Sequence, residues 1–388
     1  MSRFISLSST KRILVMFNSA PPTANATTPT RRAYFKRKVF DRLFPCKYNQ
    51  PCKMVGNWLA YQQDRAKELG AQRRGGMGVN LYWLQCGGCG GDTMSFLNSE
   101  TPDILQLFSG LGIDVLYHPS LSNSSPAQQA SQLEVLFSGE LPLDILVVEG
   151  AVLRGPAGTG MYDTKGRRPK KDIVAALARQ ARFVVAAGTC ASFGGFGAQT
   201  EIEATGLQFH RSEPGGFLGA GFLSKAGLPV INLSGCPCHP QVLAGALTAL
   251  VTGTELALDP YNRPLSWYGM MVHQGCTRNE YHEYRVEEET FGEKGCLFFH
   301  MGCHGPLVTG PCNKLLWNQR SSKTRAGVPC FGCTSPEFPQ NHPFFNTRNI
   351  EGIPLDLPNG INRAHYMVYK VMAAAAAPER LRQRRTEI

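Results

Sequence analysis

The stretch from His273 to Cys333 constrains this chain most. Within about sixty residues it holds His273, Cys276, Cys296, Cys303, Cys312, Cys330 and Cys333, in a region otherwise dense in Gly, Pro and aromatics. Apolar periodicity fades there, so the segment is expected to lack a conventional core and to fold around inorganic cofactors. Thiolate and imidazole are iron–sulfur cluster ligands, and such ligands can come from scattered loops. Seven is one short of two full sets of four. A chain built this way is expected to move electrons.

The bulk composition narrows the alternatives. At 388 residues, with 43% hydrophobic and 18% charged residues, the chain has room for two or three folded domains. Its formal charge of +11 would suggest a nucleic-acid partner, but residues 1–78 hold 15 Lys and Arg against 3 Asp and Glu. The remaining 25 against 26 leave the globular part neutral, so no nucleic acid is expected. Thirteen cysteines are too few for a disulfide scaffold and too clustered to be incidental. The longest apolar runs, Gln241–Gly253 and Ala373–Ala377, are too short to span a membrane. Reduced thiols without an anchor predict a cytoplasmic protein.

Residues 1–78 read as a basic extension, with Ser, Thr, Pro and Arg dominating the first forty positions. Transit-peptide composition, a disordered arm and a start at Met77 are all compatible with it. Thr30–Lys36 loosely resembles a twin-arginine signal, but Lys38, Asp41 and Arg42 interrupt any apolar segment after it. Cys46 and Cys52 read as unpaired thiols. From Asn80 the pattern becomes regular. Apolar runs at Leu81–Gln85, Asp114–Tyr117, Asp144–Glu149, Phe183–Ala187 and Val230–Leu233 predict buried parallel strands. Helical patterns lie between them at Pro102–Ser109, Pro126–Phe137, Lys171–Ala181 and Gln241–Val251. This alternation predicts an α/β, flavodoxin-like doubly wound parallel sheet over 79–255, followed by an irregular metal-binding domain over 256–350. Residues 351–388 are expected to form a solvated tail ending in a basic helix-like stretch, Pro378–Arg385.

Three strand ends deliver cysteines to one edge of that sheet. Cys86-Gly-Gly-Cys89-Gly-Gly-Asp92 follows the first strand, Gly188-Thr-Cys190 the fourth, and Ser234-Gly-Cys236-Pro-Cys238 the fifth. The glycines let backbone approach a bulky cluster and offer N–H groups to its sulfurs. A lone cysteine after a strand is usually a small buried hydrophobe; three together argue for ligation. In the later stretch, His273, Cys276, Cys296 and Cys303 form one set, and a neutral imidazole among three thiolates raises a cluster's potential. Cys312, Cys330 and Cys333 form another, which suits a three-iron cluster. Zinc is the competing account, with Cys330-x2-Cys333 as half of a ribbon, although zinc wants even quartets.

With these residues in view, the chain resembles the small subunit of nickel–iron hydrogenases over residues 80–340. The likeness rests on Trp83-Leu84-Gln85, Val148-Glu149-Gly150, Gly188-Thr189-Cys190, Gly235-Cys236-Pro237, His273-x2-Cys276, Gly295-Cys296, Gly302-Cys303-x-Gly305-Pro306 and Cys330-x2-Cys333, in family order. The resemblance implies an electron-transfer subunit docked on a large subunit that holds the nickel–iron site. It implies three clusters: a proximal [4Fe-4S] or [3Fe-4S], a medial [3Fe-4S] on Cys312, Cys330 and Cys333, and a distal [4Fe-4S] on His273, Cys276, Cys296 and Cys303. The proximal ligands would be Cys190, Cys236, Cys89 and Asp92, the carboxylate standing where the family has a cysteine. Cys86-x2-Cys89 is the alternative register, and Cys86 and Cys238 would be nearby spare thiols. Many relatives carry a glutamate at Gly88, thought to pass protons, and oxygen-tolerant membrane-bound relatives carry extra cysteines at Gly91 and Gly195.

The run Gly91–Asn98 looks most like the cytosolic uptake and hydrogen-sensing branch. The location implied is cytoplasmic, free or peripheral to the inner face of the membrane, with an acceptor protein or quinone as electron partner and room for a higher oligomer of heterodimers. A hydrogen sensor is a close rival reading, and a zinc-stabilised interaction module a rival from another class. A relative of the complex I type shares the sheet domain but has only the proximal cluster.

Overall fold

Alternation along the strands decides the architecture. In β1 (Val79–Gln85), Leu81 and Trp83 point to one side and Tyr82 and Leu84 to the other, all of them buried. In β3 (Leu143–Glu149), Ile145 and Val147 oppose Leu146 and Val148 in the same way. Strands apolar on both faces must be covered on both faces. With β2 (Ile113–Tyr117), β4 (Ala181–Ala187) and β5 (Ile231–Leu233) they form a five-stranded parallel sheet of order β2-β1-β3-β4-β5. This is the doubly wound flavodoxin-like order, α/β as the sequence predicts. The computed structural model describes residues 78–199, 201–340, 343–350, 353–358 and 360–382. The extension at 1–77, with Cys46, Cys52 and Thr30–Lys36, lies outside the described residues, as does the end of the Arg-rich stretch from 383 on.

Helices close both layers. On one face pack α1 (Gly91–Leu97), α2 (Ile104–Leu111) and α6 (Pro240–Thr252); on the other, α3 (Pro126–Ser138) and α4 (Lys170–Gln180). The apolar stripe of α2 is Ile104, Leu107, Phe108 and Leu111, the spacing of one helical face. Asp103 caps it, accepting the Gln106 N–H at 2.8 Å. Two short helices go beyond the sequence expectation, α1 and α5 (Gly188–Phe193), and both start at glycine soon after a strand.

Glu149, buried at the carboxyl end of β3, ties β1 to α1. It accepts from Trp83 Nε1 and from the Thr93 N–H, both at 2.9 Å, and from the Thr93 hydroxyl. A buried carboxylate is stable only when its lone pairs are satisfied. The same bonds fix α1, and with it Asp92, against the strand ends.

Residues 256–350 are mostly turns, with short helices at Leu265–Tyr268 and Asn279–Glu283. Contrary to the sequence expectation, this segment has a small core of its own, in which Val272, Leu297, Phe298, Phe299 and Met301 pack with Cys296, Cys303 and Cys330. These three thiols act as part of the apolar interior, as buried cysteines do. The tail also differs from expectation. It forms α7 (Arg363–Ala375), whose Tyr366 enters that core, and Leu381 is buried beside Val286 and Ala377. No helix among the described residues is long and apolar enough to cross a membrane.

Candidate metal centres

The first group forms beyond the carboxyl ends of β1, β4 and β5. Asp92 lies in the first turn of α1 and accepts the Cys238 N–H at 2.6 Å. Burial pushes its carboxyl up to about 7; the Cys238 N–H opposes this and the Glu149 charge adds to it. Burial also raises the Cys190 thiol to about 11, with Asp92 and Cys89 contributing. The Cys236 thiol rises to about 12, first through burial and then through Cys333, Cys190, Asp92 and Cys89. Asp92, Cys190 and Cys236 therefore neighbour one another, with Cys89 beside them at the exposed rim. Gly188 makes room for the carboxylate: a Cβ there would stand 2.1 Å from Asp92 Oδ2, and its φ of +82° suits glycine.

Cys86 sits elsewhere. Its side chain belongs to the apolar layer on the α3–α4 face, where burial, followed by the charge of Asp163, raises it to about 12. Cys238 is fully buried on the opposite face, and its backbone rather than its sulfur serves Asp92.

The remaining seven residues line two cavities. Cys312, Cys330 and Cys333 face a cavity of about 450 Å³ that Cys236, Tyr268 and Trp317 also line. Buried Asn313 braces its wall: Nδ2 donates to the Val272 carbonyl at 2.8 Å, and Oδ1 accepts from the Ser322 and Thr324 hydroxyls. His273, Cys276, Cys296 and Cys303 together line a second, smaller cavity with Arg278. Among the described residues, no three His, Cys, Asp or Glu side chains converge on the position of a single metal ion.

The donor set fits iron–sulfur clusters. Burial raises Cys303 to about 11 and Cys312 to about 12, and drives Cys296 and Cys330 well up, so these thiols hold their protons until a cation displaces them. Backbone N–H groups already point at the sulfurs: Arg278 to Cys276 Sγ at 3.4 Å and Cys330 to Cys303 Sγ at 3.3 Å. Such bonds favour charge on sulfur. The three groups are contiguous. Cys236 and Cys333 line the same cavity at one junction, and the Cys330 N–H···Cys303 Sγ bond spans the other. The Thr189 hydroxyl donates to the Cys333 carbonyl and Ser234 Oγ to the Thr334 carbonyl at 2.9 Å, stitching the sheet to the later domain.

Several contributors carry no readable signal in the sequence. Asn313, His282 and Arg285 act through partners far away in the chain or through a turn geometry that single residue types do not reveal. His282 Nδ1 lies 3.3 Å from Cys296 Sγ. Its imidazole is pushed down to about 3 by burial, with His273 and Arg285 adding to the shift.

Comparison with known proteins agrees with this architecture. Residues 268–346 match the family of C-terminal regions of NiFe/NiFeSe hydrogenase small subunits, and residues 89–250 match the family of the NADH ubiquinone oxidoreductase 20 Kd subunit. The chain is 32% identical over 306 residues to the F420 non-reducing hydrogenase I small subunit of Methanosarcina mazei, covering 71% of this chain and 77% of that one. It is 29% identical over 300 residues to the periplasmic [NiFe] hydrogenase small subunit 1 of Nitratidesulfovibrio vulgaris, covering 76% and 89%. The solved actinobacterial-type NiFe-hydrogenase from Ralstonia eutropha H16 superposes with a TM-score of 0.64 at 25% identity, covering 78% of this chain and 92% of that one. With sheet order and sequence in agreement, the chain belongs to the small-subunit family of the nickel–iron hydrogenases.

Proposed function

We propose that the chain is the electron-transfer subunit of a heterodimeric hydrogenase and holds three iron–sulfur clusters in a row. Cys89, Asp92, Cys190 and Cys236 would hold the proximal one, [4Fe-4S] or [3Fe-4S]. Cys312, Cys330 and Cys333 would hold a medial [3Fe-4S], and His273, Cys276, Cys296 and Cys303 a distal [4Fe-4S]. When bound, the clusters supply one-electron transfer. The chain contributes ligands, N–H donors and a dry interior, and no acid–base residue. The observation that carries this reading is the contiguity of the three groups, Cys236 and Cys333 lining one cavity and the Cys330 N–H reaching Cys303 Sγ.

A large subunit with the nickel–iron site is the expected partner. Its docking face would surround the exposed Cys89, where Met94 and Phe196 are 66% and 56% exposed. Apolar side chains exposed beside a functional group mark contact surfaces. The reading places the enzyme in the cytoplasm, oxidising hydrogen and passing electrons to a protein or quinone. It also takes 79–255 as the sheet domain and 256–350 as the cluster domain.

The test uses the purified heterodimer. Wild type should catalyse both H2/D2 exchange, which needs only the large subunit's site, and hydrogen-dependent dye reduction, which needs the relay. Cys296→Ala should keep exchange and lose dye reduction by about tenfold or more. Dye reduction left untouched in that variant would overturn the relay. Exchange with slow dye reduction in the wild type itself would favour the sensor reading.

A further inference from the structure

We propose that His282 is a positioning residue of the distal site, donating an Nδ1–H···S hydrogen bond to Cys296 in a tautomer that Arg285 fixes. The inference rests on the distal ligand set proposed above. His282 lies on the short helix Asn279–Glu283, outside that set. Its Nδ1 is 3.3 Å from Cys296 Sγ and its Nε2 is 3.4 Å from Arg285 Nη1. A guanidinium only donates. Nε2 therefore accepts, and the one proton of a neutral ring is left on Nδ1, facing the sulfur. A thiolate bound to iron has no proton to offer, so it accepts.

The surroundings hold both groups in place. The imidazole stacks on Phe299 at 5.6 Å and 16°, stands edge-on to Phe298 at 5.7 Å, and meets the His273 ring at 4.5 Å. Arg285 is buried, its guanidinium 4.6 Å from the Tyr366 ring and 5.2 Å from the Phe299 and Tyr369 rings. Its Nη1 also donates to the His282 carbonyl at 3.2 Å. Reduction adds negative charge to the cluster sulfurs, and an N–H aimed at one of them stabilises the reduced form. His282 thereby raises the potential of the site where electrons leave the chain.

A redox titration of the holo-heterodimer followed by electron paramagnetic resonance decides the matter. H282F should keep the distal signal and shift its reduced-to-oxidised ratio about tenfold toward oxidised at fixed potential, about 59 mV for one electron. R285M should move in the same direction by less, and H282Q, whose amide can donate, should recover part of the shift. An unchanged potential in H282F would overturn the proposal. So would loss of the distal signal in H282F with its retention in H273F, because His282 would then be the ligand. Should H282F fail to assemble, an unchanged potential in R285M would overturn it. A wild-type heterodimer without a distal signal would instead defeat the ligand assignment.

Discussion

At Gly195 a Cβ would stand 2.6 Å from Cys190 Sγ, and the backbone there has φ +56°. Left-handed backbone costs an L-residue about 1–2 kcal/mol before any clash is counted. Gly195→Ala should therefore lower the melting temperature and weaken the proximal signal while sparing the distal one, and an unaltered proximal signal would show that Cys190 is not a ligand. A cysteine at this position would need the Cys190 loop to move. His118 gives a separate handle on pH. It is fully buried 5.0 Å from the Trp83 ring, and burial lowers its imidazole from 6.5 to about 4. The unfolded chain thus takes up this proton first. The stability concerned is present above about pH 6.5 and is lost toward pH 4, up to about 3 kcal/mol. Melting at pH 7.5 and pH 5.5 should show a larger loss for wild type than for His118→Gln; equal losses would refute the assignment. The cysteines were legible at this scale because a thiol announces its chemistry by type. Asp92 was legible only through its place in a motif. His282 and Arg285 were not, because a histidine's role here depends on what accepts and donates around it.

Among the elements, the five strands and α2, α3, α4 and α6 were readable because apolar periodicity is a property of the elements themselves. The helices α1 and α5 were not, being 7 and 6 residues long and beginning at glycine. The Glu149 bonds hold α1, and both helices are stabilised by packing rather than propensity. The basic tail looked solvated because its charges dominate by number, yet one apolar residue per turn suffices to seat Leu381, and Arg380 pairs with Glu280. The loop carrying Cys312 depends on a single buried amide. Asn313→Ala would strand the Ser322 and Thr324 hydroxyls, at about 1–3 kcal/mol for each group left unsatisfied. The expected result is loss of the medial signal with the distal one retained, read by low-temperature electron paramagnetic resonance. If the medial signal persists at full intensity, the amide does not brace that wall.

For the molecule as a whole, the doubly wound sheet gathers one group at its strand ends and the later domain continues the line with two more. Of the seven late candidate ligands, Cys312, Cys330 and Cys333 line one cavity and His273, Cys276, Cys296 and Cys303 line an adjoining one. The neutral balance of charge after residue 78 suits a subunit that meets protein surfaces rather than nucleic acid. Three clusters are proposed for this chain, one of them with only three cysteine ligands. Electron paramagnetic resonance of the air-oxidised and hydrogen-reduced heterodimer, with iron and zinc measured on the same sample, tests this most directly. The expected result is brown protein with an oxidised three-iron signal that vanishes under hydrogen as four-iron signals appear. Colourless protein containing zinc, or iron enough for the proximal cluster alone, would contradict it.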